Sequence, residues 1–157
     1  MRMSRVWLLG VCGAVAVGAG VAGPAGAAPG PEADLSFHGS AVMSGDAVEV
    51  RLTPRDDGPA GVSDASVLLR WSVPLAREQR LPERCARTDE RTVVCGTGVL
   101  RPGGVGQRID AVVRLADRPS EVTLEVETAW SGGAVDRDRT NDRLRVLVLD
   151  TGDAYAF

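Results

Sequence analysis

The chain has 157 residues and a formal net charge of −3, and all 18 of its basic residues are arginine. This length suits one domain with a hydrophobic core of its own. The acidic balance argues against nucleic acid as a partner, because phosphates are bound by basic surfaces. The absence of Lys, with a single Ile and a single Asn, is typical of a protein from a high-GC bacterium.

The first 27 residues have the layout of a secretory signal peptide. Arg2 and Arg5 supply a basic start, the stretch 6–22 is apolar, and small residues at 25–27 fit a signal-peptidase site. An uncleaved membrane anchor is the alternative, but the apolar stretch barely reaches bilayer length and lacks an aromatic or basic belt. We therefore predict export with cleavage after residue 27 or 28, no membrane anchor in the mature protein, and a mature net charge of −5 from 16 Arg against 21 acidic residues.

Two cysteines, Cys85 and Cys95, remain once Cys12 leaves with the signal peptide. An exported protein favours their oxidation to a disulfide. A zinc site would need more ligands, and His38 is the chain's single histidine. A thioredoxin-like site would need a Cys-x-x-Cys spacing, whereas nine residues separate these two. With a polar turn at 88–91, they predict a disulfide across a β-hairpin.

Alternation of apolar and polar residues dominates the mature chain, and no segment has sustained helical periodicity. We predict a lead-in at 28–33, one all-β domain at 34–149 and a C-terminal tail at 150–157. Seven or eight short strands with turn signals between them are typical of an antiparallel β-sandwich. The predicted strand regions are 34–40, 46–53, 65–73, the hairpin 83–96, 108–116, 121–130 and 143–149.

Two tryptophans are candidate core anchors of this sandwich. Trp71 follows Val67 and Leu69 on one face of its strand, and Trp130 follows Val126 in the same alternation. Burial in the core is the expectation for both, since large aromatic side chains dominate cores. The alternative for either ring is a platform that stacks on carbohydrate.

Catalytic machinery is not evident in the sequence. His38 lies in a predicted strand, and no Ser lies in a G-x-S-x-G sequence that would suit a Ser-His-Asp triad. Pairs of carboxylates could serve glycoside hydrolysis, but with 21 acidic residues such pairs arise by chance. We predict a protein that is not an enzyme and has no cofactor.

The sequence DRDRTND offers a weak calcium candidate. Asp136, Asp138 and Thr140 occupy positions 1, 3 and 5 of a calcium-loop pattern. Asn141 then stands where glycine is needed, and Leu147 where a bidentate Glu belongs. Asp and Asn also favour turns by bonding nearby backbone groups. A turn is the expected structure, with calcium as the alternative.

Four consecutive stretches suggest a family: "DDGPAGVSDASVLLRWSVP", "CARTDERTVVCGTGVL", "LRPGGVGQRIDAVVRL" and "DRDRTNDRLRVLVL". Their order over 34–149 resembles the Ig-like conserved-repeat domain of bacterial secreted and cell-surface proteins. That resemblance implies a Greek-key sandwich that acts as a spacer or adhesion module. The chain departs from the family in having one copy, and from antibody-type domains in placing its lone tyrosine, Tyr155, near the C-terminus. A weaker similarity is to small secreted actinobacterial sandwiches that bind chromophores or inhibit serine proteases.

The expected function is that of a secreted, non-enzymatic module for extracellular binding or structural spacing, with an extracellular or cell-surface protein of unknown identity as partner. The loop 54–64 and the turn 131–142 are the expected contact surfaces. The alternative is a small secreted protease inhibitor, with the turn 87–91 as its reactive loop, or a carrier of an apolar ligand.

Overall fold

The computed structural model describes residues 30–157, so the predicted signal peptide lies outside the described residues. The described chain forms twelve β-strands. Within it, no helical segment has the length and apolarity needed to cross a bilayer. In chain order the strands are β1 (Glu32–Ala33), β2 (Leu35–Ser44), β3 (Ala47–Asp56), β4 (Ser66–Trp71), β5 (Cys85–Arg87), β6 (Thr92–Gly96), β7 (Gly104–Val105), β8 (Ile109–Arg114), β9 (Glu121–Trp130), β10 (Val135–Asp136), β11 (Arg143–Leu149) and β12 (Ala154–Ala156).

The strands form two five-stranded sheets and one short pair. One sheet has the order β11-β9-β4-β6-β5, and the other has the order β12-β2-β3-β7, with β8 also paired to β3. All pairings within the two large sheets are antiparallel, whereas the short pair of β1 and β10 is parallel. The seven strands of five or more residues coincide with the alternating segments of the sequence, and the other five are pairings of two or three residues.

One hydrophobic core lies between the two sheets. Alternation gives each sheet one apolar face, and both faces contribute to a single cluster of buried side chains. From β2 and β3 the cluster takes Phe37, Ala41, Met43, Val48, Val50 and Leu52; from β4 and β9 it takes Val67, Leu69, Trp71, Val122, Leu124 and Val126. The two sheets therefore pack face to face.

Residues 150–157 are not a tail, which corrects the domain boundary predicted at 149. Ala154–Ala156 is strand β12, which pairs with β2. Phe157 continues the pairing: its N–H donates to the Gly39 oxygen at 3.0 Å, and its oxygen accepts from the Gly39 N–H at 2.9 Å. A Cβ on Gly39 would clash with the Arg51 backbone oxygen of β3 and would lie 2.9 Å from the Phe157 ring, so both neighbours require glycine here. Strand propensity alone does not reveal such a pairing, because its partner lies over 110 residues away.

The predicted lead-in is also part of the folded domain from residue 31 onward. The Pro31 oxygen accepts from the Val135 N–H at 2.8 Å, and Ala33 is buried. A second, smaller apolar cluster lies at this end of the sandwich, composed of Ala33, Leu35, Val62, Ala65, Leu100 and Ala134. It joins the N-terminal segment to the two loops that the sequence suggested as contact surfaces.

Trp71 and Trp130 have opposite environments. Trp71 is 1% exposed and is the largest fully buried side chain, whereas Trp130 is 53% exposed. A β-bulge explains the difference: Thr128 lies opposite Val67 and Trp130 lies opposite Ser66, so Ala129 is an extra residue on β9. The extra residue reverses the alternation and turns the Trp130 side chain away from the core. The expectation of a second core anchor at Trp130 is therefore wrong.

Candidate functional site

Strand β8 forms an open edge on one side of the sandwich. It pairs with β3 along one side, over the register Ala47–Leu52 against Ile109–Arg114. Within the described residues no strand pairs with its other side, although Leu115, just beyond its end, forms an isolated antiparallel bridge with Leu75. Unpaired strand edges are natural sites for the addition of another chain, so this edge is the first candidate for a contact surface.

The hydrogen bonds of Arg114 show which backbone groups face outward. Its N–H donates to Gln79 Oε1 at 2.9 Å, and its oxygen accepts from Gln79 Nε2 and from the Ala76 N–H, each at 2.8 Å, on the side away from β3. Alternate residues of an antiparallel strand point their backbone groups the same way. Asp110 and Val112 therefore direct N–H and C=O outward, and in residues 30–157 these groups have no hydrogen-bond partner.

The segment 77–85 forms the opposite wall of a groove beside this edge, named here the β8 groove. Residues of both walls line a cleft at each end. The cleft at the C-terminal end of β8 is lined by Arg77, Glu78, Gln79, Arg80, Val112 and Arg114. The cleft at the other end is lined by Pro82, Glu83, Arg84, Cys85, Gly96, Thr97 and Gln107–Asp110. The two clefts together border β8 from Ile109 to Arg114.

The predicted disulfide is present and supports this wall. Cys85 and Cys95 lie directly opposite each other on β5 and β6, with an S–S distance of 2.03 Å and a Cα–Cα distance of 4.0 Å. Cys95 is buried in the core, whereas Cys85 is partly exposed and lines the groove. The bond thus fixes the last strand of one sheet beside the open edge of the other.

The Arg87 guanidinium also holds the wall in place. It lies at 2.8–3.4 Å from five backbone oxygens, three in the segment 75–77, where the wall begins, and two in the β5–β6 turn. The acceptors are the carbonyl groups of Leu75, Ala76, Arg77, Asp89 and Glu90. Because a charged donor strengthens each of these bonds, Arg87 is a structural residue.

The turn 87–91 is poorly suited to be an inhibitory loop. The Glu90 oxygen accepts from the Leu75 N–H at 2.7 Å, and the Arg91 oxygen accepts from the Trp71 N–H at 3.0 Å. An inhibitor that binds like a substrate must offer its loop backbone to the protease. Here that backbone is bonded inward, so the geometry does not favour the inhibitor alternative.

Neither cleft suits a carrier of an apolar ligand. The cleft beside Ile109 has a volume of about 210 Å³, below the roughly 300–1,000 Å³ typical of small-molecule sites. The cleft beside Val112 is larger, about 890 Å³, but its lining is mostly charged and amide side chains. The β8 groove is better matched to a polypeptide backbone than to a small apolar molecule.

Charges in the groove are partly neutralised by ion pairs. Arg108 Nε lies 2.9 Å from an Asp110 oxygen, and Arg114 Nη1 lies 2.9 Å from Asp46 Oδ1. The hydrogen bond from Arg114 lowers the pKa of Asp46 below its ordinary value. Among the described residues, Arg77 and Arg80 have no carboxylate partner.

His38 is exposed on β2, opposite Thr53. The nearby Ser36 hydroxyl donates to Asp57 Oδ2 at 3.1 Å rather than to the imidazole. A Ser-His-Asp triad needs the imidazole between the hydroxyl and the carboxylate. This arrangement therefore does not form one.

The oxygens of the calcium candidate bond to nearby backbone. Asp136 accepts from the Leu35 and Asp138 N–H groups at 3.0 and 3.1 Å, and Asp138 accepts from the Thr140 N–H at 3.0 Å. The Thr140 hydroxyl also bonds to Asp138. Between residues 30 and 157, no three acidic, His or Cys side chains are grouped as a metal site requires. The geometry favours the turn.

The two loops expected to make contacts lie at the same end of the domain and pack against one another. A Cβ on Gly132 would clash with the Asp64 backbone oxygen and lie 3.1 Å from Val62 Cβ, so the two loops are in direct contact. Each is also tied to the rest of the domain: Asn141 Nδ2 donates to Asp34 Oδ1 at 2.7 Å, and the Val62 and Leu100 backbones exchange two hydrogen bonds of 2.9 Å. Asp142 is buried, which raises its pKa despite Arg139 at 3.0 Å. Many residues of both loops are therefore engaged in packing and hydrogen bonds within the domain.

The β8 groove was missed by reasoning from sequence alone. The one available signal was Val112, which stands between Asp110 and Arg114 on the polar face of its strand and is 48% exposed. Whether that strand lies at an edge depends on distant pairing, which the pattern does not reveal.

Comparison with known proteins gives no relative for this chain. Neither a protein-family model, nor a curated protein, nor a solved structure matches it.

Proposed function

We propose that the protein is a secreted, non-enzymatic Ig-like module that binds an extended segment of an extracellular partner protein. The segment adds to β8 as a further strand. The observation that carries this proposal is the row of outward-facing backbone groups at Asp110 and Val112, which lie along a groove without a partner among the described residues. Main-chain hydrogen bonds supply the affinity in this mode of recognition, and side chains supply specificity.

The strand order supports the Ig-like assignment. Strands β2, β3 and β8 are neighbours in one sheet, as A, B and E are in an Ig domain, while β4, β9 and β11 are neighbours in the other, as C, F and G are. In a constant-type Ig domain, strand D covers the free edge of E. Here the connection between β6 and β8 holds only the two-residue β7, which pairs with β3 instead. In residues 30–157 the edge equivalent to E is therefore without a partner at Asp110 and Val112.

Export is supported by the disulfide and by the predicted signal peptide. Disulfides form and persist in oxidising compartments and are rare in the cytosol of mesophiles. The bond at Cys85 and Cys95 lines the proposed binding groove, so an oxidising environment would also keep the groove wall fixed.

A proline at position 112 tests strand addition directly. The Val112 N–H points away from β3, so Val112→Pro removes a donor at the edge without removing a bond of the existing sheet. Val112→Ala is the matched control, because it shortens the same side chain and keeps the N–H. The probe is a labelled, acetylated octapeptide of alternating Thr and Val, measured by fluorescence anisotropy.

We expect wild type and Val112→Ala to bind the peptide within about threefold of each other, and Val112→Pro to bind roughly tenfold more weakly. Equal binding by Val112→Pro and wild type, or no binding by wild type, would refute strand addition at β8. If Val112→Pro does not give a cooperative melting transition, an N-methylated peptide is used with the wild type in place of this variant. N-methylation removes hydrogen bonds of the same kind.

A further inference from the structure

The C-terminal half of the β8 groove is basic, although the protein as a whole is acidic. Three arginines and one glutamate line the cleft beside Val112. Arg114 is paired with Asp46, which leaves Arg77 and Arg80 without a carboxylate partner among the described residues. Charge complementarity at this position calls for carboxylates on the incoming segment.

The other half of the groove has a different character. Asp110 lies there with its carboxylate paired to Arg108, and the wall opposite carries both Glu83 and Arg84. Two acids and two arginines balance one another at this end, whereas three arginines face one glutamate at the other end. The groove therefore has a polarity along β8, favouring negative charge near Val112 and Arg114 over the Asp110 end.

Side-chain direction sets the pattern that an added strand would need. Every second side chain of such a strand lies on the solvent face with Val112 and Arg114, and the others lie on the face shared with Ile109. Val112 and Arg114 share their cleft with Arg77 and Arg80, whereas Ile109 shares its cleft with Pro82 and Cys85. The two faces call for acidic and apolar side chains respectively.

We infer that the β8 groove selects an extended segment of alternating acidic and apolar residues, with its carboxylates paired to Arg77 and Arg80. This inference rests on the proposed strand addition and names the chemistry of the partner. Arginine suits the role because its planar guanidinium can bind a carboxylate through two parallel hydrogen bonds. Backbone hydrogen bonds at Asp110 and Val112 provide the affinity for the segment, and the two arginines provide the specificity.

Three labelled, acetylated octapeptides test the inference: alternating Glu and Val, alternating Thr and Val, and alternating Lys and Val. For the wild type we expect the Glu peptide to bind about fivefold more tightly than the Thr peptide, and the Lys peptide more weakly than both, because exposed ion pairs each contribute little. Raising the salt to about 1 M should remove the difference, since the Debye length then falls to about 3 Å.

The variant Arg77→Gln/Arg80→Gln should bind the Glu and Thr peptides equally. Arg143→Gln/Arg145→Gln is the matched control, because it removes two arginines from β11, and it should keep the wild-type preference. A Glu preference that survives in Arg77→Gln/Arg80→Gln would overturn the assignment.

The outcomes also separate the two proposals. Equal binding of all three peptides by wild type, with loss of all three in Val112→Pro, would overturn the acidic preference and leave strand addition standing. If wild type binds none of the peptides, both proposals fall.

Discussion

The two sides of the sandwich end in different ways. On one side the sheets meet, since β11 contacts both β2 and β12 of the facing sheet, and Phe157 extends the pairing of β12. On the other side, β8 and β5 are separated in the described chain by a segment that makes one isolated bridge, between Leu75 and Leu115, and otherwise forms a strand with neither. The comparison shows that strands with similar alternation can form a closed or an open edge. The outcome depends on the short segments beside them, whose sequences have no clear alternation of apolar and polar residues.

The means of stabilisation differ in the same way. The closed side is held by backbone pairing and apolar contact, whereas the open side is held by a disulfide, by the five contacts of Arg87 and by single backbone hydrogen bonds such as that from the Gly96 N–H to the Arg84 oxygen. These contacts leave the outward backbone groups of Asp110 and Val112 without a partner in the described chain. This is what keeps the groove open within a stable domain.

The largest effect on stability is expected from Trp71, the last residue of β4, after which the chain continues to the open side of the sandwich. Trp71→Ala should lower the free energy of unfolding by about 3–5 kcal/mol, because it leaves a cavity in a core that both sheets share. Trp71 Nε1 is buried without a hydrogen-bond partner in the described chain. Trp71→Phe removes that donor as well as some volume, so it should cost much less. Urea unfolding followed by circular dichroism measures both, and similar losses would contradict the cavity explanation.

The disulfide should contribute next. Replacing both Cys85 and Cys95 by Ala should cost roughly 2.5–3 kcal/mol, the chain-entropy value for a loop of this length. Peptide binding should weaken too, because β5 then fixes the groove wall less firmly. Unfolding at equilibrium and anisotropy on the same sample give both quantities. A large loss of stability without any change in binding would show that the wall does not depend on the bond.

The closed side is tested by removing residues 153–157. This deletion takes away β12 and the Phe157 contact with Gly39, and should cost about 2 kcal/mol through lost apolar burial and edge hydrogen bonds. Binding at the β8 groove should stay unchanged, since the groove lies on the other side. A melting temperature equal to that of the full chain would show that these residues are a tail after all.

Trp130 should have the smallest effect on stability. Trp130→Ala should change the free energy of unfolding by less than about 0.5 kcal/mol, because the ring is exposed on the outer face. Chemical denaturation with the Trp71 variants as reference gives the comparison. A cost approaching that of Trp71→Ala would mean that the bulge at Ala129 is absent and that the ring faces the core.

Sequence patterns predicted the local features of the fold and missed the distant ones. The alternation in 46–53 and 65–73 and the spacing of the two cysteines are local signals, and the all-β class and the disulfide follow from them. The bulge at Ala129, the pairing of Phe157 with Gly39 and the edge position of β8 depend on partners far along the chain. The candidate site belongs to the second group, because a strand is an edge only if no other strand of the sheet pairs with one of its sides.

The most direct test of the open edge is amide hydrogen exchange in the free protein, measured residue by residue with NMR. The N–H groups of Ala111 and Val113 face β3, whereas those of Asp110 and Val112 face the groove. We expect the first pair to exchange at least about a hundredfold more slowly than the second, because exchange requires a hydrogen-bonded strand to open. Uniform protection along Ile109–Arg114 would contradict the account, since it would mean that the outward edge of β8 is already paired.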